Sequence, residues 1–381
     1  MSTGARTGPD ALPPLPDDVV GVRLYRRSPV DASWLAGSIV PVLRGLHQDD
    51  GAAVAYLRPG WLHGPHVDVV ARAQAGEPAL PWLEVARRLD AGPEHQAPAL
   101  AESDYLTQAR ELGRMEQVPP PYLPMQPHGA IAWVREGDLT PWPAPLGALR
   151  ELVLTRLSQP LADAAEQLAH DPASAARRLA EVFVALADSH RWGASFGVFS
   201  LRSHAEAFLS WAAPTADARP AFARRLQRDA PWLREVVEQS LSGRAGRHAG
   251  QWRVALAYST GVLDAAVAAG TLDGGVVDAL AGTYDGATMG PPGQQPGSQT
   301  EPSAFHRRVA AAGVTDRPPD WFAAFRILLN LTYQQLPLLG LPPIQRYYYC
   351  YAVAELVDEV VGESWEDRLQ RVERRHERVA G

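Results

Sequence analysis

Four side chains within two helical turns, Asn330, Tyr333, Gln334 and Gln335, are the chain's densest group of residues able to do chemistry. They lie in WFAAFRILLNLTYQQLPLLGLPPIQRYYYCYAVAE, Trp321 to Glu355, which reads as two apolar helices around a Pro-Gly corner. Tyr347, Tyr348, Tyr349 and Tyr351 follow the corner, and charge is limited to Asp320, Arg326, Arg346 and Glu355 in or beside the stretch. Carboxamides and phenols donate and accept hydrogen bonds without carrying charge. Inside so apolar a segment they are either satisfied within the protein or presented to a ligand. The residue pattern alone fits a packed helix hairpin with aromatic filler as well as it fits a site.

Other candidates are thinner. Asp188-Ser189-His190 and Ser203-His204-Ala205-Glu206 each set an ionisable group beside a histidine, which suits acid–base work and equally suits satisfied polar groups. Glu116 is a helix-end carboxylate in Leu112-Gly113-Arg114-Met115-Glu116. Gly193-Ala194-Ser195-Phe196-Gly197 matches G-x-S-x-G, but a nucleophile elbow needs a strand before its serine, and the preceding RRLAEVFVALADSH is helical. It reads as a glycine-rich turn. His63-Gly64-Pro65-His66 is too thin for a metal site, no H-E-x-x-H occurs among the 11 histidines, and no G-x-G-x-x-G opens a helix after a strand.

Composition narrows the classes further. All 36 basic residues are arginine, so Schiff-base, P-loop and kinase lysine chemistry is excluded. The net charge of −7 argues against nucleic-acid or anionic-membrane partners. Cys350 is the sole cysteine, which rules out an intrachain disulfide or a multi-cysteine metal site. The N-terminus has no apolar core segment, and no run of about 18 apolar residues marks a membrane span. The expectation is a soluble, cytoplasmic protein.

The elements that must position these groups fall into an α+β class. Val19 to Arg26 alternates, with Val20, Val22 and Leu24 opposite Arg23 and Tyr25, as in a half-buried strand. Asp31 caps a helix to about His47 that Pro41 can bend. Ala53 to Arg58 and Val67 to Ala73 read as strands, the second with Val67, Val69 and Ala71 on one face and Asp68, Val70 and Arg72 on the other. Helices follow at Leu83–Asp90 and Asp104–Gln117, then a strand at Ala130–Arg135. That order begins an antiparallel sandwich of ferredoxin-like type. From Pro145 the chain turns helical: Leu146–Leu168, Ala173–Asp188, Ser203–Ala212, Pro220–Ser242 and Arg247–Ala269. Expected divisions are a flexible arm at 1–18, an α/β portion at 19–140, a helical portion at 145–270, a flexible loop at 282–303 and completing helices at 304–376.

Three stretches together resemble the small elimination domain of lantibiotic dehydratases, within the thiopeptide-type bacteriocin biosynthesis family. They are Val22-Arg23-Leu24-Tyr25 with Ala55-Tyr56-Leu57-Arg58 and Gly64-Pro65-His66-Val67-Asp68-Val69-Val70; then Ser200-Leu201-Arg202-Ser203-His204-Ala205-Glu206-Ala207-Phe208; then Ile327 to Leu336 with Leu339-Gly340. Where eliminating members carry two arginines after Pro-His and a histidine in the last motif, this chain has Asp68, Val70 and Asn330. A glutamate leaving group needs cationic recognition and a proton shuttle. The branch that fits is the thiopeptide pyridine synthase, which Leu112–Glu116 with Pro121-Tyr122-Leu123-Pro124, and Tyr333–Gly340, also resemble.

The resemblance implies a formal four-plus-two cycloaddition between two dehydroalanines of an azole-bearing precursor peptide, with loss of water and of the leader as a carboxamide. It implies no metal or redox cofactor. Neutral Tyr, Gln and Asn side chains can relay the proton that converts a backbone amide to its imidic-acid tautomer. On that footing the expected catalytic residues are Tyr333, Gln334, Asn330, His190, Asp188 and Tyr348. Gln335, Glu116, His204, Asp68, Arg72, Tyr284 and Arg346 are expected to bind the modified precursor peptide. The rival expectations are a glutamate-eliminating partner of a split dehydratase and a non-catalytic leader-binding scaffold.

Overall fold

A computed structural model describes residues 12–92, 100–116, 118–139, 142, 145–212, 217–276, 301–313 and 319–380. The expected arm up to residue 11, most of the 282–303 loop with Tyr284, and the side chain of Glu116 lie outside the described residues. The chain divides into two compact units. Among the described residues, the first takes those up to Pro172 together with Asn330–Gly340, and the second takes Ala173 to Leu329 and Leu341 onward.

The first unit is built on four antiparallel strands, β1 (Val19–Tyr25), β2 (Ala52–Gly60), β3 (His66–Ala73) and β4 (Ile131–Arg135), in the order β2-β3-β1-β4. Read from the other edge this is the ferredoxin-like order, as expected. Alternation decides the faces. Val22, Leu24, Ala55, Leu57, Val67 and Val69 are all at most 1% exposed. The opposite face carries a charged row set by register: Arg23 pairs across to Asp68, and Asp68 pairs across to Arg58.

The helix after β1 differs from expectation. It runs as α1 (Ala32–Trp34), a π-helical turn (Leu35–Ile39) and α2 (Val40–Gln48). Asp31 caps it by accepting from Trp34 N. The Val40 N–H reaches back five residues to the Leu35 carbonyl. Pro41, next in line, has no N–H to offer the ladder, and a wider turn just before it absorbs the mismatch. The long α5 (Leu146–His170) packs on β2 and α1, and Arg44 clamps it through Asp163 at 2.9 Å and Glu166 at 2.5 Å.

Between β3 and β4 lie α3 (Trp82–Arg88) and α4 (Glu102–Glu116). A satellite cluster of Tyr105, Ala109, Tyr122 and Met125 holds the chain after α4, with Trp61 and Leu62 packed against it. The Tyr105 hydroxyl donates to the Tyr122 carbonyl at 3.0 Å. A Cβ at Gly113 would lie 2.2 Å from the Tyr122 hydroxyl. The two pieces of the LGRME…PYLP resemblance therefore fit into each other.

The second unit is helical: α6 (Ala175–Asp188), α7 (Ala194–Ala212), α8 (Arg219–Leu241), α9 (Arg247–Ala268), α10 (Ala304–Ala311), the first part of α11 (Asp320–Gln335), α12 (Pro343–Val361) and α13 (Trp365–Ala380). Helix α6 is its hub. Residues Leu179 to Ala187 are all buried, and α6 touches α7, α8, α9 and α12. Its one buried acid, Glu181, meets His248 Nδ1 at 2.6 Å, and Trp252 Nε1–H donates to the other ring nitrogen at 3.2 Å.

The GASFG stretch is a helix–turn–helix junction with no strand before it. Gly193 turns the chain at φ +73°, where glycine is strain-free. Gly197, however, sits inside α7 rather than in a turn. A Cβ there would fall 1.9 Å from the Ala187 carbonyl oxygen, so the glycine lets α7 press onto the end of α6. Among the described residues no helix is long and apolar enough to cross a membrane.

Candidate functional site

In the first unit, the C-terminal half of α11 sorts the expected residues by face. Asn330 and Gln334, one helical turn apart, are exposed, and Pro337 continues their stripe. Tyr333 is only 5% exposed and Gln335 only 1%. The Gln335 Oε1 has no hydrogen-bond partner. Leu331, Thr332 and Leu336 complete the buried side. Pro337 lies in a short 3-10 turn (Leu336–Leu339), and Gly340 ends it at φ +73°. The carboxamides of Asn330 and Gln334 are thus offered outward from a stiff helix end, while Tyr333 is packed beneath them.

Asp68 is fully buried and accepts from Arg23 Nε at 2.8 Å and from Arg58 Nη2 at 2.6 Å. Burial pushes its carboxyl up, but the hydrogen bond and charge of Arg23 outweigh that and hold it below the usual value. It orients two guanidinium groups and has no exposed surface of its own. Arg72 closes on Glu151 at 2.6 Å and Glu136 at 2.8 Å. Arg23, Arg58 and Arg72, the arginines of this sheet face, are therefore all neutralised by carboxylates. His66 lies beside Asp68 at 4.0 Å, and burial holds it neutral, down to about 4.

In the second unit, Asp188 is bound to Arg253. The Tyr348 hydroxyl donates to Asp229 at 2.7 Å, and the Arg225 guanidinium lies 3.8 Å from its ring centroid. Burial first, then the Asp229 contact, raises this phenol's pKa. At 1% exposure it anchors α12 to α8 and faces no opening. His204 and Arg346, both expected to bind substrate, come together. Burial brings His204 down to about 4, with the charges of Arg346 and Arg326 adding to the shift and His306 a smaller cause. Arg346 donates to the Tyr347 hydroxyl at 3.2 Å, and Tyr347 stacks on Phe208 at 4.4 Å. Beside them the His306 ring bridges Ser203 at 3.0 Å and Ser303 at 2.9 Å.

His190 is 6% exposed in an aromatic nest. Its centroid lies 4.9 Å from Phe325, 5.2 Å from Trp321 and 5.9 Å from Trp192. Burial alone lowers it to about 4. The Trp192 backbone N–H donates to Nδ1 at 3.2 Å, so the neutral ring carries its proton on Nε2. The sequence pointed to His190 and His204 but not to Trp192 or His306, nor to Trp321 and Arg326 as their neighbours, which come from far along the chain.

These histidines set a pH dependence. His66 and His190 titrate near 4 when folded and near 6.5 when unfolded, so the unfolded state binds more protons between those values. Stability falls as pH drops from 6.5 towards 4 and gains no further loss from these groups below that. At pH 5 each is expected to have cost about 2 kcal/mol. Urea midpoints measured from pH 7 to 5 should fall accordingly; a flat profile would show that the rings are not held neutral.

No model of a known protein family matches the chain, and no curated protein matches its sequence. Solved structures do match the fold. TsrL superposes with a TM-score of 0.58 at 18% identity, covering 92% of this chain and 96% of the other. TbtD, a pyridine synthase from thiomuracin biosynthesis, superposes with a TM-score of 0.65 at 22% identity, covering 91% of this chain and 99% of the other. Over about nine tenths of its length, this chain is similar in fold to TbtD and TsrL.

Proposed function

We propose that the protein is a pyridine-forming macrocyclase of thiopeptide biosynthesis. The observation that carries this reading is the pair of outward carboxamides, Asn330 and Gln334, in a chain whose fold matches a pyridine synthase over nearly the whole length of both. The substrate is a precursor peptide with a leader and a core bearing two dehydroalanines. One backbone amide gives up its N–H proton and gains one on oxygen, forming the azadiene. Asn330 and Gln334 each offer a donor and an acceptor to that exchange without fixing a charge. Tyr333 supports them from the buried side. Holding both alkenes of one peptide in contact supplies roughly 7–11 kcal/mol of the barrier.

Two new carbon–carbon bonds close the ring. The former carbonyl oxygen then leaves as water and the leader leaves as a carboxamide, each C–X cleavage matched by loss of a ring proton. Each of these losses needs a base to take up the ring proton.

Glutamate elimination requires cations able to receive a carboxylate. Arg23, Arg58 and Arg72 are each already engaged by Asp68, Glu136 or Glu151. Incubation with a linear didehydroalanine peptide, read by mass spectrometry, should yield a macrocycle and a free leader carboxamide. Loss of glutamate from a glutamylated precursor, with no such macrocycle, would select elimination instead.

A further inference from the structure

Trp192 is 54% exposed, an unusual setting for so large an apolar ring. It packs on Trp321 at 4.9 Å and on Phe196 at 5.2 Å. Trp321 and Phe325 also line a small pocket with Thr260, Arg191 and Asp264. The Thr260 hydroxyl is buried there without a hydrogen-bond partner. His190 stands among these rings, stacked at 16° on Phe196 and edge-on to Phe325 and Trp321. Its Nδ1 is taken by the Trp192 N–H. Its Nε2–H meets no acceptor among the described residues and is not fully sealed from solvent. All of these residues belong to the second unit.

An exposed indole offers a flat stacking surface, and a neutral imidazole N–H beside it offers one donor in a desolvated setting. A saturated side chain would use neither, and a cation would meet the imidazole's N–H rather than a lone pair. The complementary ligand is a planar heteroaromatic ring with an unprotonated ring nitrogen. We infer that the Trp192–His190–Trp321 nest is a binding subsite for one five-membered azole ring of the peptide substrate, stacked on Trp192 and accepting from His190 Nε2–H. The inference rests on the macrocyclase reading for its substrate, but the subsite binds a free ring whether or not the chain cyclises anything.

The test uses the full chain and two probes of nearly equal shape, thiazole-4-carboxamide and thiophene-3-carboxamide, titrated by ligand-observed NMR. The second lacks the ring nitrogen. The wild type is expected to bind the thiazole about fivefold more tightly, the worth of one neutral hydrogen bond. His190→Phe keeps an aromatic ring of similar size and should erase that preference while still binding both probes. Trp192→Ala removes the half-exposed stacking face and should weaken both about fivefold in a variant whose far-UV circular dichroism matches wild type. Equal affinity for the two probes in the wild type, or a preference that survives His190→Phe, would overturn the subsite. Failure of the wild type to cyclise a peptide while the thiazole preference holds would count against the macrocyclase reading alone.

Discussion

Alanine at Asn330 or at Gln334 is expected to slow macrocycle formation about a hundredfold each, the usual cost of removing one donor aimed at developing charge. Both side chains are exposed, so neither change empties a core position. Ala is also the better helix former, so the stability of both variants should stay within about 0.5 kcal/mol of wild type or rise slightly. The loss therefore reports chemistry rather than folding. The double variant should lose less than the product of the two, because residues acting as a unit are not additive. Tyr333→Phe acts on the same helix turn from its buried side and is expected to have a smaller effect, since its phenol is only 5% exposed. Rates measured on a didehydroalanine peptide decide it: unchanged turnover in both single variants would remove the carboxamides from the mechanism.

Asp68→Ala has the largest expected effect on stability. It leaves Arg23 and Arg58, 18% and 19% exposed, facing each other across a vacated buried site. Stranding a buried partner in this way costs about 3 kcal/mol or more. The drop should appear as a lower urea midpoint with an unchanged slope. A variant as stable as wild type would show that the three-residue row contributes little. The pH dependence has the same sign as that of the histidines but lies in a lower window. The Asp68 carboxyl is held below its ordinary value, so its contribution is complete above about pH 4 and is lost only as pH falls through the folded value. Destabilisation between pH 7 and 5 belongs to the histidines and survives in the Asp68 variant.

Much of the sheet was legible because alternation is a local property. Val67, Val69 and Ala71 declared one face of β3 and Asp68, Val70 and Arg72 the other, and the register confirms both. The Arg23–Asp68–Arg58 row was within reach of the same reasoning once β1, β2 and β3 were paired, but sequence pattern does not say which strands are neighbours. Gly197 was misread as part of a turn because a helical glycine announces itself only through what it touches, here the Ala187 carbonyl. In α11 the polar residues were visible but their sorting was not. Leu329, Leu331, Leu336 and Leu338 surround them so completely that no apolar stripe marks the buried side. That is why Asn330 and Gln334 could not be told from Tyr333 and Gln335 before the fold was in hand. The aromatic nest around His190 and the arginines beside His204 are assembled from helices far apart in the chain, and no spacing rule reaches that far.

The origin of the departing water tests the central claim most directly. A precursor carrying oxygen-18 in the amide carbonyl that precedes the diene alkene should give a macrocycle free of the label, since that oxygen becomes the imidic-acid hydroxyl and leaves with the water. A pyridine product that retains the label, or a labelled peptide recovered linear after prolonged incubation with active protein, would contradict a carboxamide-assisted aza-cycloaddition in this fold.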